Sequence, residues 1–388
     1  MKYRPFGNKM EWEVSALGFG AMRLPQTSSN PADVDEPEAI RMLRYAIDNG
    51  VNYVDTAYPY HSGRSEVVVG EALQDGYRQK VKIATKLPSW AIQTAADFDK
   101  YLDEQLKRLQ TDVIDFYLLH GLNKDYWPKL RNLKVFRWAE KAMADGRIGR
   151  LGFSFHDDLV LFKEIVDAYD NWTFCQVQYN YMDTNFQAGT KGVRYAAAKG
   201  LAVVVMEPLR GGSLAKRPPE SAARMWEHAE RQRSPAEWAL LWAWNQPEVA
   251  VVLSGMSTFD QVKENLAIAD RSGTGALTLS DLKLIARVRG AFKRLRPIPC
   301  TGCGYCMPCS QGVEIPRIFE FYNNGIMHDE IQKARFYYRF PIALKESQRA
   351  DRCTECGECE EACPQKIPVA EWLKKVHAEL GPRQATRD

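Results

Sequence analysis

Eight short runs of β-branched and aromatic residues, separated by segments with helical periodicity, constrain this chain more than any other feature. The runs are Val14–Phe19, Val51–Asp55, Val81–Lys86, Val113–His120, Arg150–Ser154, Phe174–Gln178, Leu201–Met206 and Val249–Leu253. Each has strand length and is bounded by turn or polar residues. Helical spacing of apolar residues marks Glu36–Asn49, Ser65–Gln74, Ala95–Leu109, Leu130–Ala144, Leu159–Tyr169, Gln187–Lys199, Ala236–Gln246 and Phe259–Ala267. Gly50, Gly146 and Gly200 stand where a helix end favours a left-handed cap. Alternating strand and helix implies parallel strands joined by right-handed crossovers. Eight such units in roughly 270 residues predict an α/β fold of the (β/α)8 barrel type rather than an open doubly wound sheet. Gly18-Phe19-Gly20 begins a dinucleotide-binding fingerprint, but Arg23 occupies its third glycine position. The two glycines read instead as a tight turn after the first strand, and a Rossmann fold is rejected.

The cysteines divide the chain. Of nine, only Cys175 precedes residue 300, and the other eight lie between Cys300 and Cys363. An odd count in tight spacing argues against a disulfide scaffold and for metal–thiolate chemistry in a reducing compartment, hence a cytoplasmic location. The start, MKYRPFGNKMEWEVS, lacks the apolar stretch of a secretory signal. No run approaches the ~18 apolar residues of a membrane span. A formal net charge of +3 over 388 residues gives no footprint for nucleic acid. Residues 1–290 are therefore expected to form the barrel. Residues 291–388, entered through Arg294-Leu295-Arg296-Pro297-Ile298-Pro299, should form a small α-helical module with helices at Ile315–Asn323 and Met327–Phe340. The Lys/Arg-rich tail from Lys374 to Arg387 reads as a solvated terminal helix and frayed end. Cys175, inside a strand, reads as a core thiol.

In a barrel of this kind the chemistry sits at the C-terminal ends of the strands. There the sequence puts Asp55 at the end of the second strand with Tyr60 after it, Lys86 at the end of the third and His120 at the end of the fourth. A buried Lys86–Asp55 pair beside Tyr60 is expected to lower the phenol from its usual pKa of ~10 and make it a proton donor. His61, His156, Trp90 and Trp127 are open to either a pocket-lining or a packing role.

DTAYPY, ATKLP and YLLHG, which carry these four residues in this order, resemble the aldo-keto reductase superfamily over residues 1–290. The resemblance implies reduction of a carbonyl, or oxidation of an alcohol, by nicotinamide hydride. Tyr60 would act as proton donor, Lys86 and Asp55 would tune it, and His120 would orient the carbonyl. It further implies that Gly20, Ser154, Gln178, Met206, Leu209 and Gly211 face the cofactor. Ser254, Gly255, Gln261, Glu264 and Asn265 would form the adenosine and phosphate loop. Three positions depart from the family pattern. Phe155-His156 replaces the Asn usual after the serine, Met206 replaces an aromatic, and Gly255 and Gln261 stand where cations usually grip a 2′-phosphate. The missing cations favour NAD(H) over NADP(H), and a flavin in the mouth is left open.

The second cysteine run, Cys353-x2-Cys356-x2-Cys359-x3-Cys363-Pro364, has the bacterial ferredoxin spacing for [4Fe–4S] clusters. The first, Cys300-x2-Cys303-x2-Cys306-x2-Cys309, is one residue shorter and is followed by Ser310. By analogy, Cys300, Cys303, Cys306 and Cys363 hold one cluster, and Cys353, Cys356, Cys359 and Cys309 the other. Zinc is the main alternative. The aromatics Phe319, Phe321, Tyr322, Phe336, Tyr337 and Tyr338 are expected to bury the clusters. The whole chain resembles aldo-keto reductase-like oxidoreductases with a C-terminal 4Fe–4S domain. Its implied partners are a small carbonyl or alcohol substrate and a ferredoxin or flavoprotein. The alternatives are a ferredoxin- or flavin-linked enzyme that does not use nicotinamide, and an electron-carrier or binding protein on a barrel scaffold.

Overall fold

The computed structural model describes residues 1–28, 30–327, 331–341 and 343–382. Two compact units emerge, and neither is continuous in sequence. The first comprises Met1–Leu209 and Glu237–Thr278; the second comprises Arg210–Ala236 and the described residues from Leu279 onward.

In the first unit, a short antiparallel hairpin of β1 (Tyr3–Pro5) and β2 (Glu13–Ser15) precedes the barrel. The barrel strands are β3 (Leu17–Gly20), β4 (Tyr53–Asp55), β5 (Lys82–Leu87), β6 (Ile114–Leu122), β7 (Ile148–Phe155), β8 (Phe174–Gln178), β9 (Ala202–Met206) and β10 (Val249–Gly255). Each pairs in parallel with the next, and β10 closes back onto β3. The (β/α)8 barrel is thus the observed architecture.

Three local readings need correction. The run Val14–Phe19 is not one strand, because it serves two ladders. Val14 pairs with Arg4 in the hairpin, whereas Leu17 pairs with Val252 in the barrel. Ala16 between them accepts hydrogen bonds at its carbonyl from Val252 N–H (2.9 Å) and Trp244 Nε1–H (2.7 Å). Gly18-Phe19-Gly20 accordingly lies within β3 and is not a turn. The segment Leu130–Ala144 breaks at Lys134 (φ 60°) into helices Tyr126–Asn132 and Val135–Ala144.

The hairpin supplies a plug. Phe6 packs 4.7 Å from the Phe116 ring, 5.6 Å from Phe174 and 5.4 Å from Trp12 (centroid to centroid). Tyr53, Phe174 and Ala202 begin their strands, so this apolar cluster fills the N-terminal end of the barrel and leaves the opposite end for polar residues. Cys175 is fully buried, and burial pushes its thiol pKa up, as suits a core residue.

In the second unit, helix Leu279–Leu295 packs with helix Glu220–Glu227, which the sequence reading did not mark. The buried Arg233 guanidinium holds both Asp281 carboxylate oxygens at 3.1 and 3.2 Å. Helices Ile315–Met327, Ile331–Arg339 and Val369–Leu380 surround a core of Ile298, Ile318, Phe319, Tyr322, Tyr338 and Leu373. Residues 328–330 of the expected Met327–Phe340 helix, and the tail from residue 383, lie outside the described residues. Phe319, Tyr322 and Tyr338 are buried as expected, but Phe336 and Tyr337 are exposed (57% and 40%) on the outer face of their helix. No helix among the described residues is long and apolar enough to cross a membrane.

Gly70 is where helix Arg64–Ala72 meets the end of helix Ala96–Leu109. A Cβ there would lie 2.7 Å from the Arg108 carbonyl oxygen and 2.8 Å from Leu109 backbone, neither of which can swing away. Gly70→Val should therefore lower stability by about 1–3 kcal/mol despite its better helix propensity, as read from the urea midpoint.

Candidate functional site

The polar end of the barrel is built around a buried ion pair. Asp55 ends β4 and Lys86 lies near the end of β5; the register sets Asp55 beside Ala84, two residues before Lys86. Lys86 Nζ donates to Asp55 Oδ1 and to the Thr56 carbonyl, both at 2.7 Å, and neither side chain is more than 4% exposed. Burial pushes the Asp55 carboxyl up and the Lys86 ammonium down, and their attraction opposes both shifts. The Tyr60 ring centroid is 5.0 Å from Lys86 Nζ and 6.2 Å from the His120 ring. The structure therefore brings Asp55, Tyr60, Lys86 and His120 together.

The expected lowering of the Tyr60 pKa does not occur. Burial holds the phenol well above its usual range; Asp55 and Glu207 add to this and Arg23 offsets it in part. The Lys86 charge is neutralised by Asp55, leaving Tyr60 with a net anionic surrounding. His120 is held well below its usual value by burial, then by Lys86 and His156, and is neutral. Its Nδ1, with Asp55 Oδ2 and Gln176 Oε1, is buried without a hydrogen-bond partner.

Several predicted residues make hydrogen bonds that brace the site. β6 shifts register between Leu119 and Leu122, so His120-Gly121 bulges from the ladder, with Gly121 at φ 63°. Ser154 Oγ accepts the freed Gly121 N–H at 2.7 Å and thereby fixes the bulge that aims His120. Gln178 Nε2 donates to Asp183 Oδ2 at 3.0 Å, an oxygen shared with Asn180. Met206 ends β9 beside Gln178. Leu209 closes the first unit and Gly211 belongs to the second. Asn265 Nδ2 donates to Ser254 Oγ at 3.0 Å, and Gly20 pairs with Gly255. Gln261 Oε1 accepts Ser257 N–H at 2.8 Å, while Gly255, Gln261 and Glu264 are exposed. A Cβ on Gly255 would lie 3.2 Å from the Arg23 side chain, so a cation flanks this loop from outside it.

The four undecided residues now have places. His61 accepts the Leu24 N–H at Nε2 (3.0 Å) and faces the Pro31 carbonyl through Nδ1 (2.9 Å), clamping the loop that carries Tyr60. Trp127 is core, donating to Glu164 at 2.9 Å. Trp90 lies 5.1 Å from His120, and His156 meets Gln187 at 3.3 Å.

Sequence reasoning missed the layer behind Lys86. Buried Glu66 accepts from Thr85 Oγ1 (2.7 Å), Gln105 Nε2 (2.6 Å) and Arg108 (3.2 Å), and Gln105 also donates to the Lys86 carbonyl. A glutamate in a first helical turn looks like an ordinary dipole complement, so nothing local marked it.

The eight clustered cysteines fall into two neighbourhoods. Cys300 and Cys306 lie in electrostatic range of Cys303 and Cys363, and Cys359 in range of Cys309, Cys353 and Cys356. Burial lifts Cys300 and Cys359 to about 11 and Cys306 to about 12. A cavity of about 190 Å³ is lined by Cys309, Cys353, Cys356, Cys359 and Cys306. The two runs repeat one backbone design. Gly302 and Glu355 donate N–H to Cys300 Sγ and Cys353 Sγ, each at 3.4 Å, from left-handed positions (φ 71° and 59°). Gly304 and Gly357 follow at φ 82° in both runs. Gly312 and Lys366, three residues past the last cysteine of each run, are left-handed too. Superposing the C-x2-C spacings would have shown this duplication in the sequence.

A family model described as the aldo/keto reductase family matches residues 16–274. The chain belongs to that family. A second model, described as a 4Fe-4S dicluster domain, matches residues 299–367. Among solved aldo-keto reductases, the holo form from Bacillus halodurans is 30% identical, with a TM-score of 0.62 over 74% of this chain and 96% of its own. One from Klebsiella pneumoniae, solved with NADPH, is 23% identical with a TM-score of 0.60, over 73% of this chain and 93% of its own, and shares the fold. L-galactose dehydrogenase of Arabidopsis thaliana is 27% identical over 70% of this chain and 91% of its own. The chain is an aldo-keto reductase-type oxidoreductase carrying a C-terminal 4Fe–4S domain.

Acid should expose the buried imidazoles of this aldo-keto reductase site. Burial lowers His156 from 6.5 to about 4, so the unfolded chain binds the extra proton and stability is lost as pH falls across that window. The stability advantage of wild type over His156→Gln should therefore decline between these values in urea denaturation.

Proposed function

We propose that the barrel reduces a small carbonyl compound, or oxidises the corresponding alcohol, with a nicotinamide cofactor, and that the cysteine unit holds two [4Fe–4S] clusters that transfer electrons. The observation that carries the first half is the convergence of Tyr60, His120 and the Lys86–Asp55 pair at one barrel mouth. A bound nicotinamide would supply hydride to the carbonyl carbon. Tyr60, kept protonated, donates its proton to the carbonyl oxygen, and neutral His120 orients that oxygen. Lys86 holds Asp55 and the Thr56 carbonyl, which fixes the loop leading to Tyr60. The buried His120 Nδ1, without a partner, fits a site made for a polar ligand.

No cation stands at Gly255 or Gln261, which favours NADH. Arg23 against Gly255 favours the second reading, NADPH, the cofactor in the Klebsiella pneumoniae structure. Comparing the affinities of the two, in wild type and Arg23→Ala, decides between them.

The cysteine neighbourhoods support one cubane each, four thiolates to four irons. The Cys353-x2-Cys356-x2-Cys359-x3-Cys363-Pro364 spacing favours cubanes over zinc. Bound clusters would supply electrons singly, whereas hydride carries two, so a direct handover needs a converter such as a flavin. The dicluster domain therefore favours a second reading, in which a ferredoxin or flavoprotein feeds electrons to a substrate at Tyr60 without nicotinamide.

Tyr60→Phe should cut carbonyl reduction by about 100-fold or more while leaving nicotinamide affinity unchanged. Wild-type alcohol oxidation, which needs the phenolate, should rise with pH because the phenol is held high. Steady-state rates with NADH and NADPH, beside those with a reduced one-electron donor, test this. Turnover only with the one-electron donor would overturn the nicotinamide reading.

A further inference from the structure

The two cysteine loops share a backbone and differ in charge. Where the first has Gly302, Tyr305 and Met307, the second has Glu355, Glu358 and Glu360 at the matching offsets from its first cysteine. Glu355 and Glu358 line the cavity of Cys309, Cys353, Cys356 and Cys359, and Glu360, whose Oε1 accepts the Ala370 N–H at 2.9 Å, is in electrostatic range of Cys359. From Cys300 to Gly312 the first loop carries no charged residue. What faces it is cationic: Arg210 is in electrostatic range of Cys300, and Arg296 donates to the Cys300 carbonyl.

We infer that the two clusters are held at unequal potentials, the one on Cys309, Cys353, Cys356 and Cys359 being harder to reduce. The first electron accepted therefore resides on the cluster of Cys300, Cys303, Cys306 and Cys363. This rests on the two-cluster reading above. Reduction adds one negative charge to an already anionic cluster; neighbouring carboxylates oppose it and guanidinium groups favour it. The matched N–H donations from Gly302 and Glu355 to Cys300 and Cys353 cancel in the comparison. Two features work the other way. Lys374 pairs with Glu355 at 2.8 Å and Lys366 lies in the acidic loop, while Cys363 is the most buried of the eight ligands, which makes its cluster harder to charge. Glu358 and Glu360 on one side and Arg210 and Arg296 on the other outweigh one buried ligand.

The test is an EPR-monitored dithionite titration of the full-length protein, purified anaerobically and loaded to ~8 irons per chain. Two separate one-electron steps are expected. Glu358→Gln/Glu360→Gln should raise only the lower step, shifting the electron's distribution between clusters at least about tenfold, or about 59 mV. Arg210→Gln should lower only the upper step, and the unmoved step in each variant reports an intact fold. Added salt should narrow the gap, since Glu358 is exposed to solvent. Coincident steps, or carboxylate variants that move the upper step, would overturn the ordering. Loading that stops at ~4 irons would overturn the two-cluster reading and the ordering with it.

Discussion

Lys86 is an ammonium group sealed inside a barrel, and the geometry of the mouth follows from what keeps it there. A buried charge is tolerated only when its partners compensate its lost hydration. Asp55 and the Thr56 carbonyl do this from the neighbouring strand, while Glu66, Thr85 and Gln105 lock the β5 backbone from behind. Removing Asp55 alone would leave the ammonium uncompensated, whereas removing both would leave a gap. The same pairing neutralises the charge that would otherwise draw a proton off Tyr60. The phenol thus stays protonated and the neighbouring imidazole neutral, which is the state a proton donor to a carbonyl oxygen requires.

The barrel was legible because each of its strands is a local pattern, and Phe174–Gln178 needs only its own residues to be recognised. Val14–Phe19 was misread because the division at Ala16 depends on two partners, Arg4 and Val252, far apart in sequence. Tyr60, Lys86 and His120 were legible because strand ends are where barrel chemistry lies. Glu66 was not, since its burial is decided by helix Ala96–Leu109 packing over it. The Tyr60 shift was misjudged for a related reason. The Lys86–Asp55 pair was visible, but the burial that chiefly raises the phenol, and the added effect of Glu207, depend on packing around the mouth.

The division into two units bears on how the cysteines can be studied. The chain crosses between units three times, after Leu209, Ala236 and Thr278, so the cysteine unit does not hang from a single linker. Helix Glu220–Glu227 and the Arg233–Asp281 pair commit the 210–236 segment to the second unit's own core. A barrel cut off after residue 278 would retain that segment without the helix it packs on, and Arg233 without its carboxylate. Chemistry attributed to the barrel is therefore best measured in the full chain, with single cysteine substitutions emptying one neighbourhood at a time.

That constraint sharpens the electron-counting problem. Protonation by Tyr60 suits a two-electron step, in which carbon gains hydride as oxygen gains a proton, and no free alkoxide or radical has to be stabilised. A one-electron donor would instead create a ketyl radical anion at the same oxygen. A neutral His120 and a strongly held Tyr60 proton stabilise such an anion poorly. On the proposed function, the barrel mouth suits paired electrons and the cysteine unit single ones. Any productive coupling between them has to pass through a group able to hold one electron until the second arrives.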